Sequence, residues 1–154
     1  GCSNPSWQTV FLDLGVGLEE EVILHGMKMH EEIAPIMRAS RAFVAPYVEL
    51  ESGDKDGIPT AILEALASGL PIVTTDAGSI LEIVQDGVQA LVSPQRDSKA
   101  YTEALDKLIT NPSLERQLAK QARKRFDENF DIKVTEQRLH ERVANVLHQT
   151  PAAR

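Results

Sequence analysis

Asp56 and Glu64 bracket the one stretch of this chain where residue types and spacing suggest chemistry, Asp56-Gly-Ile-Pro-Thr-Ala-Ile-Leu-Glu64-Ala-Leu-Ala-Ser-Gly69-Leu-Pro71. Pro59 suits a first helical position, Gly69 suits the residue just past a helix end, and Pro71 blocks continuation, so the spacing predicts a helix over residues 59–68. At about 100° per residue, Thr60, Ala61, Ala67 and Ser68 fall within roughly 60° of Glu64, while Ile62, Leu63, Leu66 and Leu70 lie opposite. Glu64 therefore sits on a face of small side chains that a ligand or another backbone can approach closely. The backbone N–H groups of the Gly57-Ile58 turn and of the first helical turn favour an anion at the same end. The chemistry implied is an anion at the helix mouth and hydroxyl groups near Glu64. The plainer reading is a solvated glutamate on a surface helix with a close-packing face of small residues.

The elements that would position these residues alternate along the chain. Short β-rich runs at residues 22–25, 42–45, 71–75 and 90–92 each lead into a glycine, a proline or a polar loop. Helical patterns over residues 7–14, 31–39, 59–68 and 79–85 separate them, as in βαβ units with a mainly parallel sheet. Ala42-Phe-Val-Ala45 and Ile72-Val73 are continuously apolar, which fits strands covered on both faces. Beyond Pro94 the pattern becomes amphipathic helix: Ala104, Leu105, Leu108 and Ile109 share a stripe, as do Leu114, Leu118 and Ala122 after the Asn111-Pro112 break. A last helix, over about residues 132–148, has an uneven apolar stripe of Val134, Leu139, Val143, Val146 and Leu147. Residues 1–154 read as one domain, an α/β part to residue 94 and helices from 95.

The 154 residues, 42% hydrophobic and 25% charged, suit one soluble domain with a core of its own. A formal net charge of −7 opposes general affinity for nucleic acid. Cys2 is the only cysteine, so no internal disulfide and no cysteine metal site are expected, which fits a cytoplasmic protein. His25, His30, His140 and His148 show no metal-ligand spacing. No apolar run approaches the roughly 20 residues that cross a bilayer, so membrane contact is expected to be at most peripheral, at the inner face. Lys120, Arg123, Lys124 and Arg125 read as a solvated helix face.

Several landmarks in order resemble the C-terminal donor-binding domain of the family-four retaining glycosyltransferases, which have the GT-B fold with a Rossmann-like parallel sheet flanked by helices. They are Val22-Ile-Leu-His-Gly26, Ala42-Phe-Val-Ala-Pro46, the run from Gly57 through Glu64 to Thr75, Gly78, and Glu82-Ile-Val-Gln-Asp-Gly87. The Asp56-Gly-Ile-Pro form resembles a subgroup associated with exopolysaccharide synthesis. In that family two acidic residues separated by seven others flank the donor site. The resemblance implies that Glu64 accepts hydrogen bonds from ribose hydroxyls, for which a carboxylate's two oxygens suit a vicinal diol. It implies that Asp56, where the family usually has the longer glutamate, is the catalytic-site acid against hydroxyls of the transferred sugar. It further implies that N–H groups near Gly57 and Ile58 face the donor diphosphate or sugar, that Thr60 lies beside them, and that the backbone at Gly26 and Met27 meets the nucleobase.

A member of the family would also carry an acceptor domain and a first donor-domain strand whose loop supplies an arginine and a lysine to the diphosphate. Gly1-Cys-Ser-Asn-Pro5 resembles the loop after the second strand, so the chain is expected to be truncated at its N-terminus, with Lys28 and Lys55 as substitute cations. On this reading the chain binds a nucleotide-diphosphate sugar, needs no metal or other cofactor, and is inactive alone without its acceptor domain. In a doubly wound order two central strands would then be missing. Residues 22–25 are expected to pair directly with 42–45 through a right-handed crossover, at a cost in stability and with a tendency to self-associate.

Other functions fit less well. Gly15-Val-Gly17-Leu-Glu-Glu20 offers two of the three glycines of a dinucleotide fingerprint, but no strand precedes it and Glu20 holds the third position. Asp76 follows a strand as a receiver aspartate would, yet no acidic cluster accompanies it, and a loop residue is expected. The main alternative is a non-catalytic Rossmann-like interaction module that has lost donor binding.

Overall fold

A computed structural model describes residues 22–49 and 58–149. The readings that fall on residues 7–14, the Gly1–Pro5 loop, Cys2, Lys55, Asp56 and Gly57 lie outside the described residues. The chain forms two compact units, Gly1–Ile33 and Ala34–Arg154.

In the first unit, residues 22–25 form no strand, which corrects the expected fourth strand and its direct pairing with 42–45. Val22, Ile23 and Leu24 are all exposed, Ile23 at 74%. β-propensity alone does not hold a strand whose N–H and C=O groups find no partner. Helix α1, His30–Ala39, begins at the end of this unit. Glu32 reaches back to the Met29 N–H at 2.9 Å and pairs with Lys28 at 3.1 Å, and the two contacts hold its carboxyl below the ordinary glutamate range.

The second unit is built on a three-stranded parallel sheet, β1 (Phe43–Ala45), β2 (Ile72–Thr75) and β3 (Ala90–Ser93), in the spatial order β1-β2-β3. Helix α2 (Thr60–Ala67) joins β1 to β2, and the short α3 (Ile80–Ile83) joins β2 to β3. Then follow α4 (Ser98–Ile109), α5 (Pro112–Asn129) and α6 (Ile132–Gln149). Helix α3 is shorter than the expected 79–85 because Val84, at ψ 151°, turns extended.

Alternation along the strands divides the core between the two faces of the sheet. Ile72 and Ala90 pack with Ile62, Leu66, Ile80 and Ile83 on one face. Val73 and Leu91 pack with Leu108 and Leu118 on the other, where Tyr101 donates its hydroxyl to the Val73 carbonyl at 3.0 Å. Helix α5 serves both faces, with Leu118 in the second cluster and Ala122 and Phe126 against the first. Most of the amphipathic stripe that marked these helices in the sequence thus closes the core, Ile109 excepted, which is exposed. By contrast Ile132, Leu139, Val146 and Leu147 of α6 are exposed.

Candidate functional site at the C-terminal edge of the sheet

Helix α2 ends as its sequence predicts. Gly69 takes a φ of +67°, its N–H bonds to the Leu66 carbonyl, and the Leu70 N–H bonds to the Ala65 carbonyl, both at 3.0 Å. These two bonds form the left-handed closure that glycine permits without a Cβ penalty. Arg123 of α5 donates to the Ala67 carbonyl at 2.6 Å and fastens the same end. At the other end Pro59 occupies the N-cap rather than the first helical position, with φ −64° and ψ 112°, and has no side-chain cap to offer.

Because β1 and β2 are parallel, α2 must run antiparallel to them and start at the C-terminal edge of the strands, where open α/β sheets bind ligands. Helices α3 and α4 start at the same edge, and their entrances are already filled. The Glu49 carboxylate accepts the Gly78 N–H, just before α3, at 2.8 Å. Asp97 caps α4 by accepting the Ala100 N–H at 2.9 Å. The N-cap residue of α2, Pro59, carries no side-chain group that could accept the N–H groups of the first turn.

Three of the sequence-predicted residues come together here. Ile58 is exposed ahead of the helix, Thr60 is its exposed first residue, and Glu64 lies half-buried one turn on. The buried residues of α2 are Ile62, Ala65 and Leu66, so Glu64 occupies the face turned from the core. Asp56 and Gly57 lie outside the described residues. Gly26, at φ +67°, and Met27, 96% exposed, belong to the first unit.

Sequence reasoning missed a set of polar residues that ties the three strand-end loops to one another. The Glu49 N–H donates to Gln95 Oε1 at 2.9 Å, and the Glu49 carbonyl accepts from Arg96 at 3.0 Å. Asp76 accepts the Gln95 N–H at 2.7 Å. Thr75 donates its hydroxyl to the Tyr47 carbonyl at 2.5 Å. Arg96 holds a φ of +64°, an uncommon conformation for a residue with a side chain. A cleft of about 190 Å³ opens beside these loops, lined in part by Val48, Thr75, Pro94 and Arg96. The signal that could have found the set is positional, since Glu49, Asp76 and Gln95 each follow a strand by a few residues. Asp76 is the loop residue it was expected to be.

The sequence profile of the glycosyl transferases group 1 matches residues 9–125. The chain belongs to this family. Among curated group 1 relatives, it is 35% identical over 91 residues to the amylovoran biosynthesis glycosyltransferase AmsK of Erwinia amylovora, covering 59% of this chain and 22% of that protein. It is 28% identical over 132 residues to the putative colanic acid biosynthesis glycosyltransferase WcaL of Salmonella typhimurium, covering 84% of this chain and 31% of that one. The chain thus spans less than a third of the length of these two relatives. Among solved structures, Anabaena HepE in complex with UDP superposes with a TM-score of 0.75 at 21% identity, over 91% of this chain and 35% of that one. That likeness establishes the shared GT-B type α/β fold, as the glycosyltransferase resemblance implied.

Arg123 and Arg125 of α5 are engaged with the protein itself. Arg123 pairs with Asp127 at 2.8 Å, and Arg125 donates to the Ile83 and Glu82 carbonyls at 3.1 and 3.2 Å. The Arg125 contacts fasten α5 to α3, while the Arg123–Asp127 pair lies within α5. No group of three or more histidine, cysteine, aspartate or glutamate side chains among the described residues is placed to hold a metal. Among the same residues no helix is long and apolar enough to cross a membrane.

Proposed function

We propose that this chain holds the nucleotide-diphosphate sugar donor of a retaining glycosyltransferase that transfers a sugar to a glycan, lipid or other hydroxyl acceptor. The observation that carries the reading is the start of α2, a helix mouth at the C-terminal edge of the sheet with proline at its N-cap and Glu64 one turn below. Helices α3 and α4 begin at the same edge and have carboxylates on their entrances. The naming of AmsK and WcaL as amylovoran and putative colanic acid biosynthesis glycosyltransferases and the UDP bound to HepE support this class of donor.

In this assignment Glu64 accepts the ribose hydroxyls, and the N–H groups at Gly57 and Ile58 with the first turn at Thr60 face the diphosphate or sugar. Asp56 meets hydroxyls of the transferred sugar, and the backbone at Gly26 and Met27 meets the nucleobase. The donor is a substrate, and the reading invokes no metal or further cofactor. An acceptor domain would present the attacking hydroxyl, since transfer needs that group held against the donor's anomeric carbon while the departing diphosphate is stabilised. Such an enzyme would work in the cytoplasm, at most at the inner face of a membrane.

Calorimetric titration of the purified chain with uridine, guanosine and adenosine diphosphates tests the reading. Saturable binding of at least one is expected. Absence of binding to all three, in this chain and in the full-length protein, would favour an interaction module that keeps the fold without a donor.

A further inference from the structure

We propose that a cleft at the opposite edge of the sheet, between the α3–β3 connection and α5, is a binding site for a sugar residue of a glycan. It lies at the N-terminal edge of the strands, because β2 and β3 are parallel and the residues after α3 lead into the start of β3. The inference therefore does not rest on the donor reading of α2. The cleft holds about 380 Å³, within the roughly 300 to 1,000 Å³ usual for small-molecule sites. Leu81 and Val84 supply its apolar lining, and Asp86, Gln89 and Arg125 most of its polar one.

All three of these polar side chains are fixed at one end by the protein. Arg125 donates from Nε to the Ile83 carbonyl at 3.1 Å and from Nη2 to that of Glu82 at 3.2 Å, and its guanidinium lies 5.7 Å from the centre of the Phe130 ring. Asp86 Oδ1 accepts the Val92 N–H at 2.9 Å. Gln89 Oε1 accepts the Gln85 N–H at 2.9 Å, which sets the orientation of its amide. Each keeps a second polar atom, Arg125 Nη1, Asp86 Oδ2 and Gln89 Nε2, that has no partner among the described residues. Two donors and one acceptor are thus held in place beforehand, so a ligand binds them at little further cost in side-chain entropy. Their mixture selects the ligand. A simple anion drawn to Arg125 shares the cleft with the Asp86 carboxylate, and a simple cation drawn to Asp86 shares it with Arg125. A hydroxyl both donates and accepts, so neighbouring hydroxyls of one ring suit both charges, while the ring's C–H face suits Leu81 and Val84. Sugars are the polyols that a glycosyltransferase family handles. At this edge the site would retain a glycan rather than react with it.

The test uses the full-length protein that contains this chain, with glucose, galactose, mannose and glucuronate as probes in saturation-transfer difference NMR. Saturable binding of at least one is expected in the millimolar range, the scale for so small a ligand in an open site. Two variants change only the free atom of an anchored side chain. Asp86→Asn keeps Oδ1 for the Val92 N–H and turns the free acceptor into a donor. Gln89→Glu keeps Oε1 for the Gln85 N–H and turns the free donor into an acceptor. Each should weaken the sugar by about five- to tenfold, the scale of one lost hydrogen bond, with Tm within a few degrees of wild type. Binding should persist in Glu64→Gln and in the presence of saturating uridine diphosphate. No saturable binding of any probe, unchanged affinity in both cleft variants, or a loss that simply follows a fall in Tm would each overturn the glycan site. A sugar displaced by uridine diphosphate, or lost in Glu64→Gln, would sit at the C-terminal edge instead and would overturn it equally.

Discussion

At the level of single residues, Glu64 and Glu115 show how differently two glutamates of one unit can be used. Glu64 is half-buried on the face of α2 turned from the core, where a carboxylate can meet a ligand. Glu64→Gln is therefore expected to weaken nucleotide-diphosphate binding by about 1 to 3 kcal/mol through loss of charged hydrogen bonds, and calorimetry giving the wild-type affinity would remove ribose recognition from its role. Glu115 instead holds Arg41 at 2.6 Å, a contact that keeps its carboxyl below the usual 4.5. A lowered folded-state value means that the contribution is present above the unfolded value and is lost as pH falls through the folded one. Glu115→Gln should thus lower Tm near neutrality, and the gap from wild type should close under acid conditions. A gap that persists unchanged at acid pH would show that the ionised pair is not its source. Glu64 could be singled out in sequence because local periodicity places it on a face of small residues. The Arg41–Glu115 pair could not, since its partners lie 74 residues apart and only the packing of α5 beside the start of β1 brings them together.

Among the elements, local signals held at the end of α2 and the start of α5, where the chain closes its own hydrogen bonds. Gly69 and Pro71 marked the end of α2, and Asn111-Pro112 marked the start of α5, where the Asn111 side chain accepts the Leu114 N–H at 3.1 Å. Gly69→Ala should destabilise by about 1 kcal/mol, because the φ of +67° is costly for any residue with a Cβ, while that Cβ would meet Arg123 at an ordinary 3.6 Å. Asn111→Ala should cost about 1 kcal/mol through loss of the cap, and urea midpoints of the two variants would measure both effects. Signals failed where an element depends on a distant partner. Residues 22–25 have the composition of a strand, yet sheet pairing is non-local, and composition does not say whether a neighbouring strand is available. The Glu49–Gln95–Arg96 ties were hidden for the same reason. Three loops far apart in sequence meet only because parallel strands deliver all their C-terminal ends to one edge.

For the molecule as a whole, the fold explains how this chain could hold a donor more readily than how it could complete a transfer. Transfer needs stabilisation of the departing diphosphate and an acceptor hydroxyl fixed against the sugar, and each lowers the barrier only when both are in place. Several arginines of the second unit already serve the protein itself: Arg96 donates to the Glu49 carbonyl, Arg123 to that of Ala67, and Arg125 to those of Glu82 and Ile83. None of these can turn to a diphosphate without giving up a contact that joins two elements. The GT-B structure of HepE is nearly three times as long as the part that this chain covers. The purified chain is therefore expected to bind a nucleotide diphosphate without transferring sugar to any acceptor. Incubation with a radiolabelled nucleotide sugar and a panel of glycan and lipid acceptors would measure this, with the Glu64→Gln variant as the control for contaminating enzymes. Turnover that disappears in that variant would show that this α/β unit does more than hold the donor, and would move the acceptor site onto its own C-terminal edge.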